Sequence, residues 1–328
     1  MTEKKRYGFN MLWMYTAGRE PEEPNLKELD FIAGEGFDFI RVPTDYRCWT
    51  KDFDYFRADD RVIRYIDRYI AACSERGMHL CLNLHRAPGY CINSPEKEKH
   101  NLWRDEEAQR GFVHIWRMFA ERYKGVSSKY LSFDLVNEPC PVGETHPCTR
   151  EDHEKVIRMT AAAIRDVDPT REIVIDGFNG GGSALPELAD LGAVHSGRGY
   201  EPFHLTHYRA SWVRGGADWE KPEYPSDVWN REWLKDYYAP WREVEKSGVR
   251  VHIGEFGCYD KVENDTALRW FEDLISVYKE FGWGYSLWNF RGPFGIVEHG
   301  RPGAEYEEYK GFNVDRRLLE ILKSGMTS

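Results

Sequence analysis

The segment YLSFDLVNEP, residues 130–139, determines the fold class expected for this chain. It is an apolar run that closes on Asn137 and Glu138, so a carboxylate follows a short, buried strand. The segment RVHIGEFG, residues 250–257, repeats this arrangement and places Glu255 at the end of a second apolar run. In parallel α/β folds, ligands bind and chemistry takes place at the carboxyl ends of the strands. Two carboxylates there can share the duties of general acid and nucleophile at an acetal carbon.

Short apolar runs alternate with longer segments of helical periodicity along the whole chain, which predicts βα units and a parallel sheet. Strands are predicted at residues 7–13, 37–42, 79–85, 130–136, 172–176, 203–208, 250–255 and 284–288. Helices are predicted at residues 26–35, 59–76, 105–123, 149–167, 185–191, 228–246, 265–280 and 314–323. This alternation predicts an α/β fold of the (β/α)8 TIM-barrel type, with residues 1–328 forming a single domain. Its long βα loops are expected at residues 86–102, 209–226 and 289–312.

The composition is that of an ordinary globular protein and disfavours two classes of partner. Hydrophobic residues make up 41% and charged residues 30% of the 328 residues, and the net charge is −10. Binding to nucleic acid or to an anionic membrane needs clustered Lys and Arg. No basic stripe is present, so neither partner is expected. Aromatic residues reach 15%; most are expected to fill the core, and the surplus suits the flat apolar face of a sugar ring.

Cysteine use and the N-terminus indicate the compartment. The seven cysteines are spread out and odd in number, which is not the pattern of a disulfide scaffold. Cys140 and Cys148 share one loop and could pair, although reduced thiols are expected. The N-terminus has no apolar segment of signal-peptide length, and no later run approaches membrane-spanning length. A cytoplasmic location is therefore expected, but a secreted protein whose leader has been removed would look the same. The oligomeric state stays open.

Polar or aromatic side chains stand at the ends of most predicted strands. In chain order they are Arg41, His85, Asn137, Glu138, His207, Tyr208, Glu255 and Trp288. A single glutamate at a strand end is as often a structural salt-bridge partner as a catalytic group. Because a buried charge is costly unless it is paired or used, so many such groups at one end of the strands indicate a functional site.

This set of residues resembles that of glycoside hydrolase family 5, in the wider clan of (β/α)8 retaining glycosidases. Asn137-Glu138-Pro139 matches the acid/base strand end of the family, and Glu255 in IGEFG matches its nucleophile strand end. The similarity covers the chain from about residue 8 to about residue 322. The resemblance implies hydrolysis of β-linked polysaccharides or oligosaccharides with retention of configuration and without a cofactor. A metal is not expected, since no Asp or Glu lies at ligand spacing from the histidines at the strand ends.

The chemistry of retention gives the two glutamates different requirements. Glu255 would attack the anomeric carbon and must be ionised, so Arg41 is expected to stabilise its charge and Tyr208 to donate a hydrogen bond to it. Glu138 must begin protonated, so a drier site and the neighbouring anion are expected to raise its pKa. Pro139 is expected to bias Glu138 towards extended backbone.

The remaining side chains are expected to bind the sugar. By resemblance, Asn137 contacts the hydroxyl beside the reacting carbon. His85 and His207 are expected to form hydrogen bonds with the sugar rather than to hold a metal, and Trp288 to form the apolar floor of the site. Four loop aromatics are candidates for further subsites, with core packing as an equal alternative; they are Tyr90, Trp49, Trp103 and Trp212.

The substrate stays partly open. The favoured hypothesis is a retaining endo-β-1,4-glucanase acting on a β-glucan polysaccharide or oligosaccharide. An exo-acting β-glucosidase, a β-1,3-glucanase and a β-mannanase of the same family are alternatives. The loop HRAPG, residues 85–89, resembles that of some exo-glucanases of the family. A non-catalytic carbohydrate-binding barrel is the alternative from another class, and the complete pair of carboxylates argues against it.

Overall fold

Eight parallel strands close into a barrel in the order β1 to β8 in the computed structural model, which describes residues 5–143 and 146–327. The strands are β1 (Tyr7–Asn10), β2 (Phe39–Asp45), β3 (His79–Arg86), β4 (Leu131–Asp134), β5 (Glu172–Asp176), β6 (Val194–Gly199), β7 (Arg250–Phe256) and β8 (Gly284–Leu287). The helices are α1 (Leu26–Gly34), α2 (Asp60–Ser74), α3 (Glu106–Arg122), α4 (Arg150–Val167), α5 (Phe203–Thr206), α6 (Arg231–Tyr237), α7 (Ala239–Glu245), α8 (Asn264–Phe281) and α9 (Arg316–Ser324). Strands β9 (Glu307–Tyr309) and β10 (Phe312–Val314) form a separate antiparallel pair. The (β/α)8 prediction is confirmed.

The chain divides into two compact units. One comprises Met11–Gly197 and Val244–Arg250 and is called the β2–β5 unit. The other comprises the residues up to Asn10, Arg198–Glu243 and the residues from Val251 onwards, and is called the β7–β8 unit. Each unit contains one of the two glutamates singled out in the sequence, so the surroundings of each glutamate are described within its own unit.

In the β2–β5 unit, the strands β2 to β5 are buried along almost their whole length, although polar and charged residues alternate with the apolar ones. They pair in parallel, with Phe39 of β2 opposite His79 of β3. After β4, the chain continues to α4, which begins with a capping box in which Thr149 and Asp152 each accept a hydrogen bond from the backbone N–H of the other. Such a box satisfies two N–H groups that a helix otherwise leaves without partners. The cap therefore fixes where the loop that carries Glu138 ends.

In the β7–β8 unit, β8 pairs with both β1 and β7, and Tyr285 lies opposite Tyr7 on one side and Ile253 on the other. The side chain of Asn10, at the end of β1, donates a hydrogen bond to the carbonyl of Gly254 at 3.0 Å. This contact holds the β7 backbone directly before Glu255. The glutamate is therefore placed on a strand that is fixed by its neighbours and not on a free loop.

The sixth strand is the main error of the sequence prediction. Residues 203–208 were predicted as a strand, but Phe203–Thr206 form the short helix α5, and β6 lies earlier, at Val194–Gly199. The β6 sequence VHSGRG has one apolar residue and two glycines, which are disfavoured in strands, so it escapes a search for apolar runs. Gly199 is required there because a Cβ would collide with the hydroxyl of Tyr278 and with Phe256.

The other boundaries agree with the sequence within three residues, apart from two helical segments. The helix predicted at residues 228–246 is divided into α6 and α7, which meet just before Pro240. The segment predicted as a helix at residues 185–191 is a 3₁₀ helix, Pro186–Leu191. Within the described ranges, no helix has both the length and the apolar character needed to cross a bilayer.

Candidate active site

Residues from three strands meet around the guanidinium of Arg41 in the β2–β5 unit; Arg41 itself lies within β2 and not at its end as predicted. Its Nε donates to Asp134 Oδ2 at 2.7 Å, and a terminal nitrogen donates to Asn137 Oδ1 at 3.0 Å. The same terminal nitrogen is 3.7 Å from Asp176 Oδ2. All four residues are buried, and buried charges are tolerated when they are paired and hydrogen-bonded. The cluster therefore connects β2, β4 and β5 and orients the amide of Asn137, directly before Glu138.

The backbone of Glu138 is left-handed, with φ at +48°. This corrects the prediction of an extended backbone. Its N–H donates to Asp176 Oδ2 at 2.9 Å, and its carbonyl accepts from the hydroxyl of Tyr90 at 2.7 Å. A residue before proline avoids the right-handed helical region, and these two hydrogen bonds favour the left-handed over the extended alternative. β5 and the loop after β3 thus fix the backbone conformation of Glu138, and with it the direction of its half-buried side chain.

His85 lies at the end of β3 in the same unit. It is buried, and its ring packs against that of Tyr15 with 4.7 Å between ring centres. The backbone N–H of Asn137 donates to the carbonyl of Leu84, the residue before His85, at 3.0 Å. The β3 and β4 ends are therefore joined side by side, which brings His85 close to Asn137 and Glu138 as the sequence predicts. The proposed hydrogen bonds of His85 and Asn137 to a sugar stay predictions.

Glu255 lies on β7 in the other unit, with only 3% of its surface exposed. Its Oε1 is 3.3 Å from a terminal nitrogen of Arg198, and its Oε2 accepts from the hydroxyl of Tyr200 at 3.1 Å. Arg198 belongs to β6 and Tyr200 directly follows it. A cation and a phenol on the two carboxylate oxygens restrict rotation of the Glu255 side chain.

The structure corrects the predicted phenol. The tyrosine bonded to Glu255 is Tyr200 and not Tyr208, whose hydroxyl forms no hydrogen bond to Glu255 among the described residues; its ring instead lies 5.2 Å from the guanidinium of Arg209. The error follows from the misplaced sixth strand, which moved the expected strand end into α5. Arg198 and Tyr200 were missed for the same reason. The sequence contains one indication of these two residues. They stand on either side of Gly199 and follow a short segment that is too polar for the core face of a helix. The interaction of Arg41 with Glu255 stays a prediction.

His207 follows α5 in the β7–β8 unit and is part of an aromatic cluster. It stacks on Phe203, with 4.0 Å between ring centres, and packs edge-on against Tyr200 at 5.2 Å. Burial lowers the pKa of His207 to about 4, so the imidazole is neutral near pH 7. The Nδ1 of His207 lies 3.0 Å from the hydroxyl of Thr206, so the predicted hydrogen bond to a sugar hydroxyl would use Nε2. This binding role stays a prediction.

Trp212 and Trp288 present part of their surface to solvent in the same unit. Trp212 is 55% exposed, and its edge packs against Tyr259 with 4.7 Å between ring centres. Trp288 directly follows β8, is half-buried, and its backbone N–H donates to the carbonyl of Phe256 at 2.8 Å. Trp288 is thus tied to the residue after Glu255, where the sequence placed a floor for the sugar.

The other three loop aromatics belong to the core. Trp49, Trp103 and Tyr90 are 2%, 1% and 0% exposed, so no ring face is open to a sugar. The subsite prediction is wrong for these three, and the alternative of core packing is right. Their loops were correctly placed after strands, but burial depends on how the loops fold back, which periodicity does not encode.

The cysteines agree with the expectation of reduced thiols. All seven are free, including Cys140 and Cys148. Burial raises the pKa of the Cys140 and Cys148 thiols, so the unreactive thiol form dominates at neutral pH. Among residues 5–143 and 146–327, no group of three or more His, Cys, Asp or Glu side chains is arranged to hold a metal ion.

The eight parallel strands close into a barrel, with one glutamate just after β4 and another on β7. Barrels of this type carry their active sites at the carboxyl ends of the strands, and most glycoside hydrolases work with a pair of carboxyl groups. The comparison of sequences agrees with this class. The chain belongs to the cellulase family, glycosyl hydrolase family 5, whose model matches residues 3–292. The protein is therefore a glycoside hydrolase, and its family implies a β-glucan as substrate.

Similar proteins support this assignment. Endoglucanase C of Acetivibrio thermocellus is 28% identical over 294 residues, which cover 81% of this chain and 83% of that protein. Cellodextrinase A of Ruminococcus flavefaciens is 26% identical over 273 residues, covering 80% and 78% of the two chains. A solved structure described as a glycoside hydrolase is 60% identical, covers 98% of this chain and 100% of its own, and superposes with a TM-score of 0.96.

Proposed function

We propose that the protein is a retaining endo-β-1,4-glucanase in which Glu255 is the nucleophile and Glu138 is the acid/base. The observation that carries the proposal is the environment of Glu255: a nearly inaccessible carboxylate with Arg198 on one oxygen and Tyr200 on the other. A buried carboxylate with a cation on one oxygen and a phenol on the other is held in one orientation, as a nucleophile must be. Membership of the cellulase family supplies the glucan substrate.

In the first step, a Glu255 oxygen forms a bond to the anomeric carbon while the bond from that carbon to the leaving oxygen breaks. Glu138 gives its proton to the leaving oxygen, so no alkoxide is released. In the second step, Glu138 takes a proton from water, the water oxygen attacks the anomeric carbon, and Glu255 leaves as a carboxylate. This double displacement requires about 5–5.5 Å between the two carboxyl groups, which is the separation that the proposal expects.

Endo action is favoured by the similarity to Endoglucanase C over most of both chains. An exo-acting enzyme that releases small sugars is the second candidate, because the similarity to Cellodextrinase A covers nearly the same share of both chains. The loop after β3 is relevant to this choice. A buried ion pair between Arg86 and Glu98, 2.7 Å apart, closes that loop, and a loop of fixed shape beside Glu138 can limit where a long glucan enters.

Product analysis tests the substrate and the mode of action. Carboxymethyl-cellulose, laminarin, mannan and cello-oligosaccharides are compared. We expect hydrolysis of the β-1,4-glucans with a rapid loss of viscosity, whereas slow viscosity loss with steady release of one small sugar would establish the exo alternative. Preferential cleavage of laminarin or mannan would reject the β-1,4-glucan assignment.

Chemical trapping tests the assignment of the nucleophile. A 2-deoxy-2-fluoro-cellobioside with a good leaving group should add one fluorocellobiosyl group to the peptide that contains Glu255, and proton NMR should show a β-configured first product. Glu255→Gln should abolish hydrolysis and keep oligosaccharide binding. Inversion of configuration, or unchanged hydrolysis by the variant, would refute the mechanism; binding without any hydrolysis by the wild type would indicate a non-catalytic barrel.

A further inference from the structure

We propose that Tyr90 is a positioning residue for the acid/base, acting through the backbone of Glu138; the proposal rests on the acid/base role of Glu138. The hydroxyl of Tyr90 donates to the Glu138 carbonyl at 2.7 Å and accepts from the N–H of Cys140 at 3.0 Å. The two hydrogen bonds lie on either side of Pro139, which has no N–H of its own. One phenol therefore fixes the peptide groups that follow the acid/base.

The Tyr90 side chain is itself held in place by its loop. Ala87 and Tyr90 exchange backbone hydrogen bonds of 2.9 and 3.0 Å, which closes a tight turn. Gly89 within this turn has φ at +74°, and a Cβ there would lie 2.6 Å from the backbone nitrogen of Leu102. Only glycine tolerates both the left-handed backbone and this close approach. The turn thus presents Tyr90 in one position.

A buried carboxylate anchors the turn. Glu98 Oε2 accepts from the N–H of Gly89 at 3.1 Å and from the hydroxyl of Tyr46 at 2.7 Å. Its other oxygen accepts from Arg86 at 2.7 Å, and Arg86 also donates to the carbonyl of Asn93 at 2.7 Å. Each of these hydrogen bonds satisfies a buried polar group. The loop after β3 is therefore held together by one hydrogen-bond network, and this network fixes the position of Tyr90.

The opposite side of Glu138 is held by β5. Asp176 Oδ2 accepts the Glu138 N–H at 2.9 Å. With partners on its N–H and on its carbonyl, Glu138 keeps the left-handed φ of +48°, which a non-glycine residue adopts only when its surroundings impose it. Loss of the Tyr90 hydroxyl removes the hydrogen bond on the Glu138 carbonyl and lets the backbone of Glu138 relax towards the extended conformation. A displacement of about 1 Å of a catalytic group can cost about a hundredfold in rate.

The test is Tyr90→Phe, which removes the hydroxyl and keeps the ring. It is assayed on cellotetraose, whose leaving group needs a proton, and on 2,4-dinitrophenyl β-cellobioside, whose leaving group does not. We expect kcat/KM to fall by about tenfold to a hundredfold on cellotetraose and to stay within about twofold on the aryl substrate, where the first step needs no acid. Azide, a nucleophile that needs no base, should restore kcat on the aryl substrate.

Three further variants make the result decisive. Tyr69→Phe, which removes a buried hydroxyl bonded to the Glu22 carbonyl at 2.6 Å, is the control and should behave as the wild type. Glu138→Ala should show the same substrate-selective loss more strongly; if it does not, the acid/base role itself fails. If Glu138→Ala is selective but Tyr90→Phe matches the control, or loses activity equally on both substrates, the positioning role is refuted. Should Tyr90→Phe not fold, Glu98→Gln, which weakens the anchor of the turn, must show the selective loss or refute the proposal.

Discussion

Removal of the Arg198 charge should slow the second chemical step more than the first. In that step the bond between Glu255 and the sugar breaks, and negative charge returns to the carboxylate. Arg198 lies 3.3 Å from Oε1, and both side chains are nearly inaccessible to solvent. Stabilisation of the departing carboxylate therefore depends on this guanidinium.

The size of the effect follows from the distance. At an effective dielectric constant of about 20, two unit charges at this separation interact by about 5 kcal/mol. If about half of the charge has developed in the transition state, about 2.5 kcal/mol is lost in Arg198→Met, which is a factor of about 70 in rate. Arg198→Lys keeps the charge but not the planar fork, so it should retain most of the rate.

Stopped-flow measurement on 2,4-dinitrophenyl β-cellobioside separates the two steps. Arg198→Met should release a burst of dinitrophenolate equal to the enzyme concentration, followed by slow turnover with kcat and KM both lowered. Arg171→Met is a matched control, because Arg171 is also buried and paired, with Asp168 at 2.8 Å, but it lies directly before the start of β5. A fall in kcat without a burst, or a similar fall in the control, would contradict the assignment of Arg198 to the second step.

Three more outcomes are expected. Tyr200→Phe should lower kcat by about tenfold, which corresponds to the loss of one hydrogen bond to a charged group. Steady-state kinetics measure this, with Tyr69→Phe as the control whose kcat should equal that of the wild type. An unchanged kcat in Tyr200→Phe would remove Tyr200 from the mechanism. Trp212→Ala should raise KM for long cello-oligosaccharides severalfold at constant kcat, since the exposed ring offers stacking area,; equal KM would exclude a subsite there. Burial lowers the pKa of His153 to about 3 and that of His195 to about 4, below the unfolded value of about 6.5. The native state therefore takes up fewer protons, and stability is lost as pH falls below about 6.5, by about 2 kcal/mol for each histidine at pH 5. Urea unfolding at pH 7 and pH 5 measures this, and a constant free energy of unfolding would disprove it.

The sixth strand shows where sequence prediction fails physically. The segment FHLTHY, residues 203–208, has the alternation of a strand, yet it forms a helical turn with Phe203 partly exposed. The true strand VHSGRG is buried by its neighbours although few of its residues are apolar. In a closed barrel a strand is retained by the hydrogen bonds of two flanking strands, and glycine is selected where another side chain approaches closely. That selection depends on Tyr278, which is distant in sequence.

The burial of the loop aromatics also depends on the tertiary structure and not on local sequence. Tyr90, Trp103 and Trp212 all lie in largely polar segments that follow strands, but the first two are buried and the third is exposed. Local composition indicates that a loop exists, whereas the fold of the loop decides which ring meets solvent. The sequence therefore left core packing and sugar binding open for each ring. The structure decides for core packing in Trp49, Trp103 and Tyr90, and the subsite role of Trp212 stays a prediction.

The amino-acid sequence alone determined the barrel, the position of Glu138 and Glu255 at strand ends, and the family, because apolar periodicity and strand-end motifs are local properties of the chain. The tertiary structure decided the partners of each glutamate. Tyr90 reaches Glu138 across 48 residues, and Arg198 reaches Glu255 across 57. Such contacts arise only when neighbouring strands are brought side by side, and their geometry is set by register and loop closure, which no pattern within a single strand can encode.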